Sequence, residues 1–321
     1  MIDVLLVGLG STHGLRAAED ELAASLRRAG AEVELVRPRP PREVRTFALT
    51  DLGWARAARA ATLAALARHR PRALLYGTTT AALLWPRPGA IRFDAPAAAN
   101  RPGRHGLWQR PVERRRLRRS PLLVPQHAGA LAEAGATGRP AVVVPIPVEP
   151  SGPAGGPRDL AALTYATNPI KKGLDRVLPA WRAARREGER LVVVGLDGPS
   201  DDAVTYAGTL PAGEVRGLLR RTRVYVTAPR REDYGLVQLE ALADGCRVVT
   251  TPAPGPYAAL DLLRDGLGWV IGEAGLPGAL RAALDADDPA YPPRALAALA
   301  PYRRDAVDRV VAEVLLPRLV S

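Results

Sequence analysis

Short apolar runs alternate with helical stretches along most of this chain, and that alternation constrains its fold more than any other feature. Ile2–Val7 is a short apolar run typical of a buried strand, and residues 17–29 carry apolar side chains at helical spacing before Gly30. Further strands are predicted at residues 32–36, 73–76, 91–93, 122–124, 141–144, 161–165, 191–194, 204–206, 224–227, 247–250 and 269–271. Further helices are predicted at residues 52–69, 172–187, 212–221 and 234–244. Because strands separated by helices pair in parallel through right-handed crossovers, we predict an α/β protein.

One segment interrupts this alternation. Residues 145–159 are rich in proline and glycine, which favours a linker. A chain of 321 residues is long enough for two domains. We therefore predict an N-terminal domain at residues 1–149 and a C-terminal domain at residues 150–305, with a cleft between them. Since ligands of parallel sheets bind at the carboxyl ends of the strands, we expect the site there.

The composition limits the metal sites and the compartment. The single cysteine, Cys246, excludes an intramolecular disulfide and a multi-cysteine metal site. The apolar runs are too short to span a bilayer, and the first residues lack the basic segment and apolar core of a signal peptide. We therefore expect a cytoplasmic protein. Its net charge of +12 comes almost wholly from arginine, and either a GC-rich genome or attraction to anionic partners explains it.

Residues 231–245 form the most informative stretch of the sequence. A predicted strand ends at Thr227, a polar turn follows, and a helix is predicted to begin near Gly235. The backbone amides of Gly235, Leu236 and Val237 would then be unpaired in the first turn and could bind a phosphate. A glycine at this point lets a ligand approach the backbone closely.

Two glutamates flank this helix start. Glu240 lies about one turn beyond Leu236, roughly 6 Å along the helix axis, which is the distance from a pyrophosphate to its ribose. Glu232 precedes the helix and could contact a sugar on the other side of the phosphates. The alternative for Glu240 is an ordinary solvated helix residue.

Glu232 and Glu240, with seven residues between them and the pair Tyr234-Gly235, resemble the donor-site signature of glycosyltransferase family 4. Members of that family are retaining enzymes with the GT-B fold, in which two Rossmann-like domains face each other across a cleft. The resemblance covers roughly residues 160–285. Its other elements are Lys172-Gly173-Leu174-Asp175, residues 192–198, Tyr206-Ala207-Gly208 and residues 245–250.

The resemblance implies a role for each of these positions. Glu232 would bind hydroxyls of the donor sugar, Glu240 would bind the ribose hydroxyls, and Lys172 would neutralise the diphosphate. The family usually has an arginine five residues before the lysine, where this chain has Thr167. Either Lys171 or another arginine takes its place, or donor binding is weaker. For Lys172 the alternative is a surface lysine at a helix start.

The N-terminal half carries a glycine pattern after its first strand. The last spacing in Gly8-x-Gly10-x-x-x-Gly14 is one residue longer than in a dinucleotide fingerprint, and no acidic residue clearly takes the ribose role. The pattern is more similar to the acceptor-side glycine loop of GT-B enzymes, so a dehydrogenase is disfavoured. His13 lies in this loop, where it either shapes the turn or acts on the acceptor.

Two more residues of this half are candidates for acceptor chemistry. Asp94 ends a predicted strand, where the family often has a histidine near the reacting sugar, and the alternative is a capping or turn role. His105 belongs to a glycine-containing stretch that we interpret as a flexible acceptor loop.

The strongest basic run extends from Arg110 to Arg119 and follows Leu107 and Trp108. The first interpretation is a solvated helix face. The second is an anionic membrane surface for a lipid-linked acceptor, because arginines beside Trp and Leu suit a headgroup interface. No recognised module supports specific nucleic-acid binding.

The sequence therefore favours a retaining, hexosyltransferase-type glycosyltransferase. It would use a nucleotide-sugar donor and a carbohydrate or lipid-linked acceptor, such as a glycan of the cell envelope, at the inner face of the membrane, and need no metal or other cofactor. A nucleotide-sugar epimerase and a non-catalytic nucleotide-sugar-binding protein remain the alternatives. Resemblance to GT-B enzymes also implies that a last helix at residues 306–321 packs back on the N-terminal domain.

Overall fold

The chain folds around two parallel sheets, one in each of two units. The computed structural model describes residues 2–42, 44, 46–101, 103–153 and 156–321, with the backbone alone for His13, Phe47, Ala98, Ala99 and His105. The first unit comprises Met1–Ile146 and Arg304–Ser321, and the second comprises Pro147–Arg303.

The first unit contains a five-stranded sheet. Its strands are β1 (Ile2–Val7), β2 (Val33–Val36), β3 (Pro71–Tyr76), β4 (Ala90–Phe93) and β5 (Leu123–Pro125), in the order β2-β1-β3-β4-β5. Its helices before residue 146 are α1 (His13–Arg28), α2 (Phe47–Arg68), α3 (Thr79–Ala82), α4 (Ala97–Asn100), α5 (Gln109–Arg119) and α6 (Ala128–Glu133). A 3-10 turn spans Gly103–Gly106.

β1 is buried on both of its faces at residues 4–7, which explains the unbroken apolar sequence of those four residues. Val4 and Leu6 join the core cluster on one side of the sheet, and Leu5 and Val7 join the cluster on the other side. All four side chains are fully buried. The helices cover both faces, as expected for a parallel sheet.

The second unit contains a six-stranded sheet. Its strands are β6 (Leu160–Tyr165), β7 (Leu191–Val194), β8 (Val204–Tyr206), β9 (Thr222–Thr227), β10 (Arg247–Thr250) and β11 (Gly268–Val270), in the order β11-β10-β9-β6-β7-β8. Its helices are α7 (Pro169–Lys172), α8 (Leu174–Ala184), α9 (Ala212–Arg221), α10 (Leu236–Ala243), α11 (Ala258–Leu262), α12 (Leu276–Asp285) and α13 (Tyr291–Ala298). Every recorded pairing in both sheets is parallel.

The chain ends in a helical segment that belongs to the first unit. It consists of α14 (Arg304–Val310), a π-helical turn (Val311–Leu315) and α15 (Leu316–Val320). Pro317 interrupts the regular helical hydrogen bonds, which accounts for the wider turn before it. Its buried residues pack into the core cluster that contains Val4 and Leu6; they are Val307, Val311, Leu315 and Leu319.

One predicted strand is wrong. Residues 141–144 run beside β5, and Val142 N and Val144 N donate to Leu123 O and Pro125 O. The ladder is reduced to a single bridge between Leu123 and Ala141 because Pro125 has no N–H to return a bond.

The predicted helix at residues 172–187 is divided in two. Gly173 has a left-handed φ of +67° between α7 and α8. A Cβ atom at Gly173 would overlap the carbonyl oxygen of Ala228, which directly follows β9. Glycine is therefore required here by both the dihedral angle and the close approach.

The predicted linker at residues 145–159 begins where the first unit ends. Pro147 starts the second unit, and Ser151 is fixed to it because its backbone N and its Oγ lie 2.8 and 2.9 Å from Asp244 Oδ1. Two residues of this segment, Ala154 and Gly155, lie outside the described residues.

Candidate functional site

Two loops meet at the carboxyl edge of the second sheet. Lys172 ends α7, which follows β6, and Glu232 lies in the loop that follows β9. Lys172 Nζ donates a hydrogen bond of 2.6 Å to Glu232 Oε2. Glu232 is only 5% exposed, so its carboxylate is held in a largely desolvated position by a cation.

A second ion pair lies beside the first. Lys171 Nζ is 2.6 Å from Asp233 Oδ2, and Arg231 Nε is 2.8 Å from Asp233 Oδ1. Backbone pairing also joins the loops, since Arg230 N donates to Lys171 O at 2.9 Å. The side chain of Lys171 is thus committed to Asp233 here, which weakens the idea that it replaces the missing arginine.

The start of α10 has unpaired backbone donors. Gly235 precedes the helix with a φ of +86°, and a Cβ atom there would lie 2.9 Å from Cε2 of Tyr257. Among the described residues, the amides of Leu236 and Val237 donate no hydrogen bond. Such amides at a helix N-terminus bind anions.

Glu240 lies one turn further along α10 and is partly exposed. Arg216 of α9 approaches it, with Nη1 3.6 Å from Glu240 Oε1, and Arg216 Nε is 2.7 Å from Asp244 Oδ2. Burial raises the pKa of Glu240, Arg216 opposes this, and the negative charge of Asp244 adds to the rise.

Tyr257 and Gln238 complete the polar cluster at this edge, and sequence reasoning missed both. The Tyr257 hydroxyl is 2.9 Å from Thr250 Oγ1 and accepts from Gln238 Nε2 at 3.2 Å, while Gln238 Nε2 is 3.4 Å from Glu232 Oε2. Burial raises the pKa of Tyr257, so it stays protonated. In the sequence, only the turn signal Pro254-Gly255-Pro256 marks the neighbouring loop.

Thr167 lies where the family usually has an arginine. It is exposed after β6, and a Cβ atom at Gly195 would lie 2.7 Å from Thr167 Cγ2. Its hydroxyl has no hydrogen-bond partner among the residues that the structure describes.

The N-terminal glycine loop is occupied by a side chain of its own unit. Glu19, which is fully buried, accepts from Leu9 N at 2.7 Å and from Gly10 N at 3.4 Å, and Arg37 Nε is 2.7 Å from its other oxygen. A Cβ atom at Gly8 would overlap this carboxylate. The loop amides therefore bind an internal carboxylate rather than a phosphate, which the sequence pattern did not indicate.

The other candidate residues of the first unit lie in helical turns or directly after a strand. His13 is the first residue of α1 rather than a loop residue, and Gly14 lies in the first helical turn. Asp94 is exposed after β4, and its Oδ1 accepts from Ala95 N at 2.8 Å, as in the capping alternative. His105 belongs to the 3-10 turn Gly103–Gly106. The side chains of His13 and His105 lie outside the described residues.

The basic run forms α5, and its arginines differ in exposure. Arg110 and Arg116 are half-buried. Arg110 Nε donates to Gly106 O at 3.1 Å, whereas Arg116 Nε donates to Leu83 O at 2.9 Å and its guanidinium lies 4.9 Å from the centre of the Trp85 ring. Burial and the neighbouring arginines lower the pKa of Arg116. The exposed set is Arg114, Arg115, Arg118 and Arg119.

No helix in the described part of the chain is both long and apolar enough to cross a membrane. No three His, Cys, Asp or Glu side chains in the same part of the chain are grouped as metal ligands.

Solved structures with the same fold cover nearly the whole chain. WaaG, a glycosyltransferase involved in lipopolysaccharide biosynthesis, is 16% identical with a TM-score of 0.68, covering 98% of this chain and 95% of its own. Sucrose-phosphate synthase from Thermosynechococcus elongatus is 14% identical with a TM-score of 0.75, covering 98% of both chains. Anabaena HepE with UDP and glucose is 13% identical with a TM-score of 0.69, covering 98% of this chain and 99% of its own.

The sequence comparisons concentrate on the second unit. No curated protein matches the chain. Residues 157–286 match the model of the family described as glycosyl transferases group 1, and this range includes β6 to α12 with Lys172, Glu232 and Glu240. Residues 157–286 are thus a group 1 glycosyltransferase domain, and the chain that carries them is a glycosyltransferase with the GT-B fold.

Proposed function

We propose that this glycosyltransferase binds a nucleotide-sugar donor at the carboxyl edge of its second sheet and transfers the sugar with retention of configuration. The observation that carries the proposal is the Lys172–Glu232 pair, 2.6 Å apart, in the loops that flank the open amides of Leu236 and Val237. A cation, a helix start and a carboxylate are the groups that a diphosphate joined to a sugar requires.

Each part of the donor has a proposed partner. The diphosphate binds the amides of Leu236 and Val237 and shares Lys172 with Glu232. The second oxygen of Glu232 accepts hydrogen bonds from hydroxyls of the sugar. Glu240, held near Arg216, accepts hydrogen bonds from the ribose hydroxyls.

Retention follows from stabilising the leaving group rather than from a separate base. As the bond between the anomeric carbon and the phosphate oxygen breaks, negative charge grows on the diphosphate, where Lys172 and the helix amides stabilise it. The acceptor oxygen bonds to the anomeric carbon on the same face. Its proton passes to the departing phosphate oxygen, so no separate base is needed.

The acceptor is proposed to be held by the first unit and to be a carbohydrate, either free or linked to a lipid. WaaG acts in lipopolysaccharide biosynthesis, and the exposed arginines of α5 fit an anionic membrane surface. The structure of HepE with UDP and glucose makes a uridine donor the first to test.

One observation favours a second candidate, a protein that binds a nucleotide sugar without transferring it. Thr167 stands where the family usually has an arginine, and its hydroxyl has no hydrogen-bond partner in the described part of the chain. Fewer cations around the diphosphate would stabilise the departing charge less.

Thermal-shift measurements with nucleoside diphosphates and nucleotide sugars test donor binding first. A ligand at one hundred times its Kd stabilises the folded state by about 2.7 kcal/mol, so a true donor raises the melting temperature and the other nucleotides do not. Product analysis then separates the candidates. A transferase releases nucleoside diphosphate, an epimerase converts the donor sugar without an acceptor, and a binding protein does neither. No stabilisation by any nucleotide would contradict the donor site.

A further inference from the structure

The two oxygens of Glu232 have different surroundings. Oε2 accepts from Lys172 Nζ at 2.6 Å and lies 3.4 Å from Gln238 Nε2. Oε1 has no hydrogen bond recorded among the described residues. One oxygen is therefore anchored, and the other is left to meet a ligand.

The buried side chain of Gln238 does not serve the stability of the fold. The side chain is 1% exposed, and among the described residues its Nε2 donates to Glu232 Oε2 and the Tyr257 hydroxyl alone. Its Oε1 is buried and has no hydrogen-bond partner among the described residues. A half-satisfied amide in a core costs free energy that an apolar side chain would avoid.

Tyr257 also occupies a costly conformation. It is the single described residue other than glycine with a positive φ, at +36°. Strained backbone of this kind persists where the surroundings hold it, and it is frequent at functional sites. Here it places the hydroxyl within 2.9 Å of Thr250 Oγ1 and 3.2 Å of Gln238 Nε2.

The loop that carries Tyr257 is fastened to the loop that carries Glu232. Glu232 N donates to Pro254 O at 3.1 Å, and Tyr257 N donates to Asp233 O at 3.2 Å. Gly255 has a φ of +120°, and a Cβ atom there would overlap the carbonyl oxygen of Glu232. The backbone of Glu232 and the Tyr257 hydroxyl are thus fixed with respect to each other.

We propose that Gln238 and Tyr257 are positioning residues for Glu232, which keep its Oε1 directed at the sugar of the donor. Thr250 orients the Tyr257 hydroxyl, Tyr257 orients the Gln238 amide, and that amide fixes the carboxylate that Lys172 neutralises. This inference rests on the proposed donor site. It assigns the two residues to recognition of the sugar and not of the nucleotide.

Calorimetric titration of UDP and of UDP-glucose tests this assignment. In Gln238→Leu the affinity for UDP-glucose should fall about tenfold, the effect of losing one hydrogen bond to a charged group. In Tyr257→Phe, which loses the neutral hydrogen bond that orients Gln238, it should fall about threefold to tenfold. The affinity for UDP should stay within about twofold. A role confined to folding would weaken both ligands alike.

Tyr257→Phe keeps the ring that packs against Gly235, so it remains informative if Gln238→Leu folds poorly. Thr227→Val is the matched control, because the Thr227 hydroxyl is buried at the end of β9 and has no hydrogen-bond partner among the described residues. This control should bind both ligands like the wild type.

Glu232→Gln separates failure of this inference from failure of the donor site. If Glu232→Gln binds both ligands like the wild type, the donor site itself is misassigned, and the positioning role of Gln238 and Tyr257 is then wrong too. If Glu232→Gln loses UDP-glucose while Gln238→Leu and Tyr257→Phe do not, the positioning role alone is overturned. Adding Gln238→Leu to Glu232→Gln should cause no further loss, and a full additional tenfold loss would also overturn the positioning role.

Discussion

Lys172 and Glu232 are 60 positions apart in sequence, yet their side chains form a hydrogen bond of 2.6 Å at the end of the second sheet. The pair brings together the residue proposed for the diphosphate and the residue proposed for the sugar. Either partner alone would leave an uncompensated charge in a poorly solvated place.

Lys172→Ala should weaken binding of a nucleoside diphosphate roughly ten- to hundredfold, since a charge-assisted hydrogen bond is lost. It should also destabilise the fold by about 1–3 kcal/mol, because Glu232 stays buried without its cation. Calorimetry and urea unfolding measure the two effects. Lys171→Ala, which breaks the neighbouring pair with Asp233, is the control and should leave nucleotide affinity within about threefold of the wild type. Equal losses in both variants would contradict the assignment.

Glu240 should make the fold less stable as the pH rises. Burial raises its pKa above the ordinary value of 4.5, so the folded state holds the proton more tightly than the unfolded chain does. The stabilising contribution is complete below pH 4.5 and is lost as the pH rises through the folded-state pKa. The free energy of unfolding of Glu240→Gln relative to the wild type should therefore increase from pH 4 to pH 7. A difference that does not change with pH would show that Glu240 titrates normally.

Gly173→Ala should be far more destabilising than Gly188→Ala. Both glycines have positive φ values, +67° and +80°, so both substitutions pay about 1–2 kcal/mol for left-handed backbone. Only at Gly173 would the new methyl group overlap the backbone of Ala228, whereas nothing lies within 4 Å at Gly188. An additional cost of about 1–3 kcal/mol is expected from the overlap, with loss of nucleotide binding because Lys172 shifts. Similar urea midpoints for the two variants would contradict the packing described for the Lys-Gly turn.

The exposed arginines of α5 should bind anionic vesicles. Replacing Arg118 and Arg119 by glutamine removes about 1 kcal/mol for each charge near the surface, so partitioning onto phosphatidylserine-containing vesicles should fall about thirtyfold. Arg56→Gln with Arg309→Gln removes the same charge from exposed positions elsewhere in the first unit and is the matched control. Equal losses in the two double variants would indicate a general charge effect and no binding face.

Most of the fold could be predicted from the sequence because the parts of parallel strands that are buried on both faces have unbroken apolar sequences, as residues 4–7 of β1 do. The placement of Glu232 and Glu240 near one helix start could be predicted because one short segment contains both. Contacts made by remote segments could not be predicted. Arg216 reaches Glu240 from another helix, and Tyr257 reaches the cluster only through a strained backbone angle.

The N-terminal glycine loop shows the same limit. Its glycine spacing indicates a close approach to the backbone, but it does not identify the approaching group. Glu19 follows Leu9 by 10 residues and Gly10 by 9 residues, and it accepts hydrogen bonds from both amides. Likewise, the apolar residues 141–144 predict a strand, and only the register opposite Pro125 shows why the ladder is incomplete.

NMR of the product's anomeric proton shows whether the sugar is transferred with retention of configuration. The enzyme is incubated with UDP-α-glucose, and the anomeric proton of the first sugar released to water or to an acceptor is recorded before mutarotation. We expect an α product, with the leaving diphosphate as the proton acceptor. We also expect that His13→Ala, at the first residue of α1, retains activity. A β product, together with loss of activity in His13→Ala, would contradict the retaining mechanism and assign an inverting mechanism with His13 as the base.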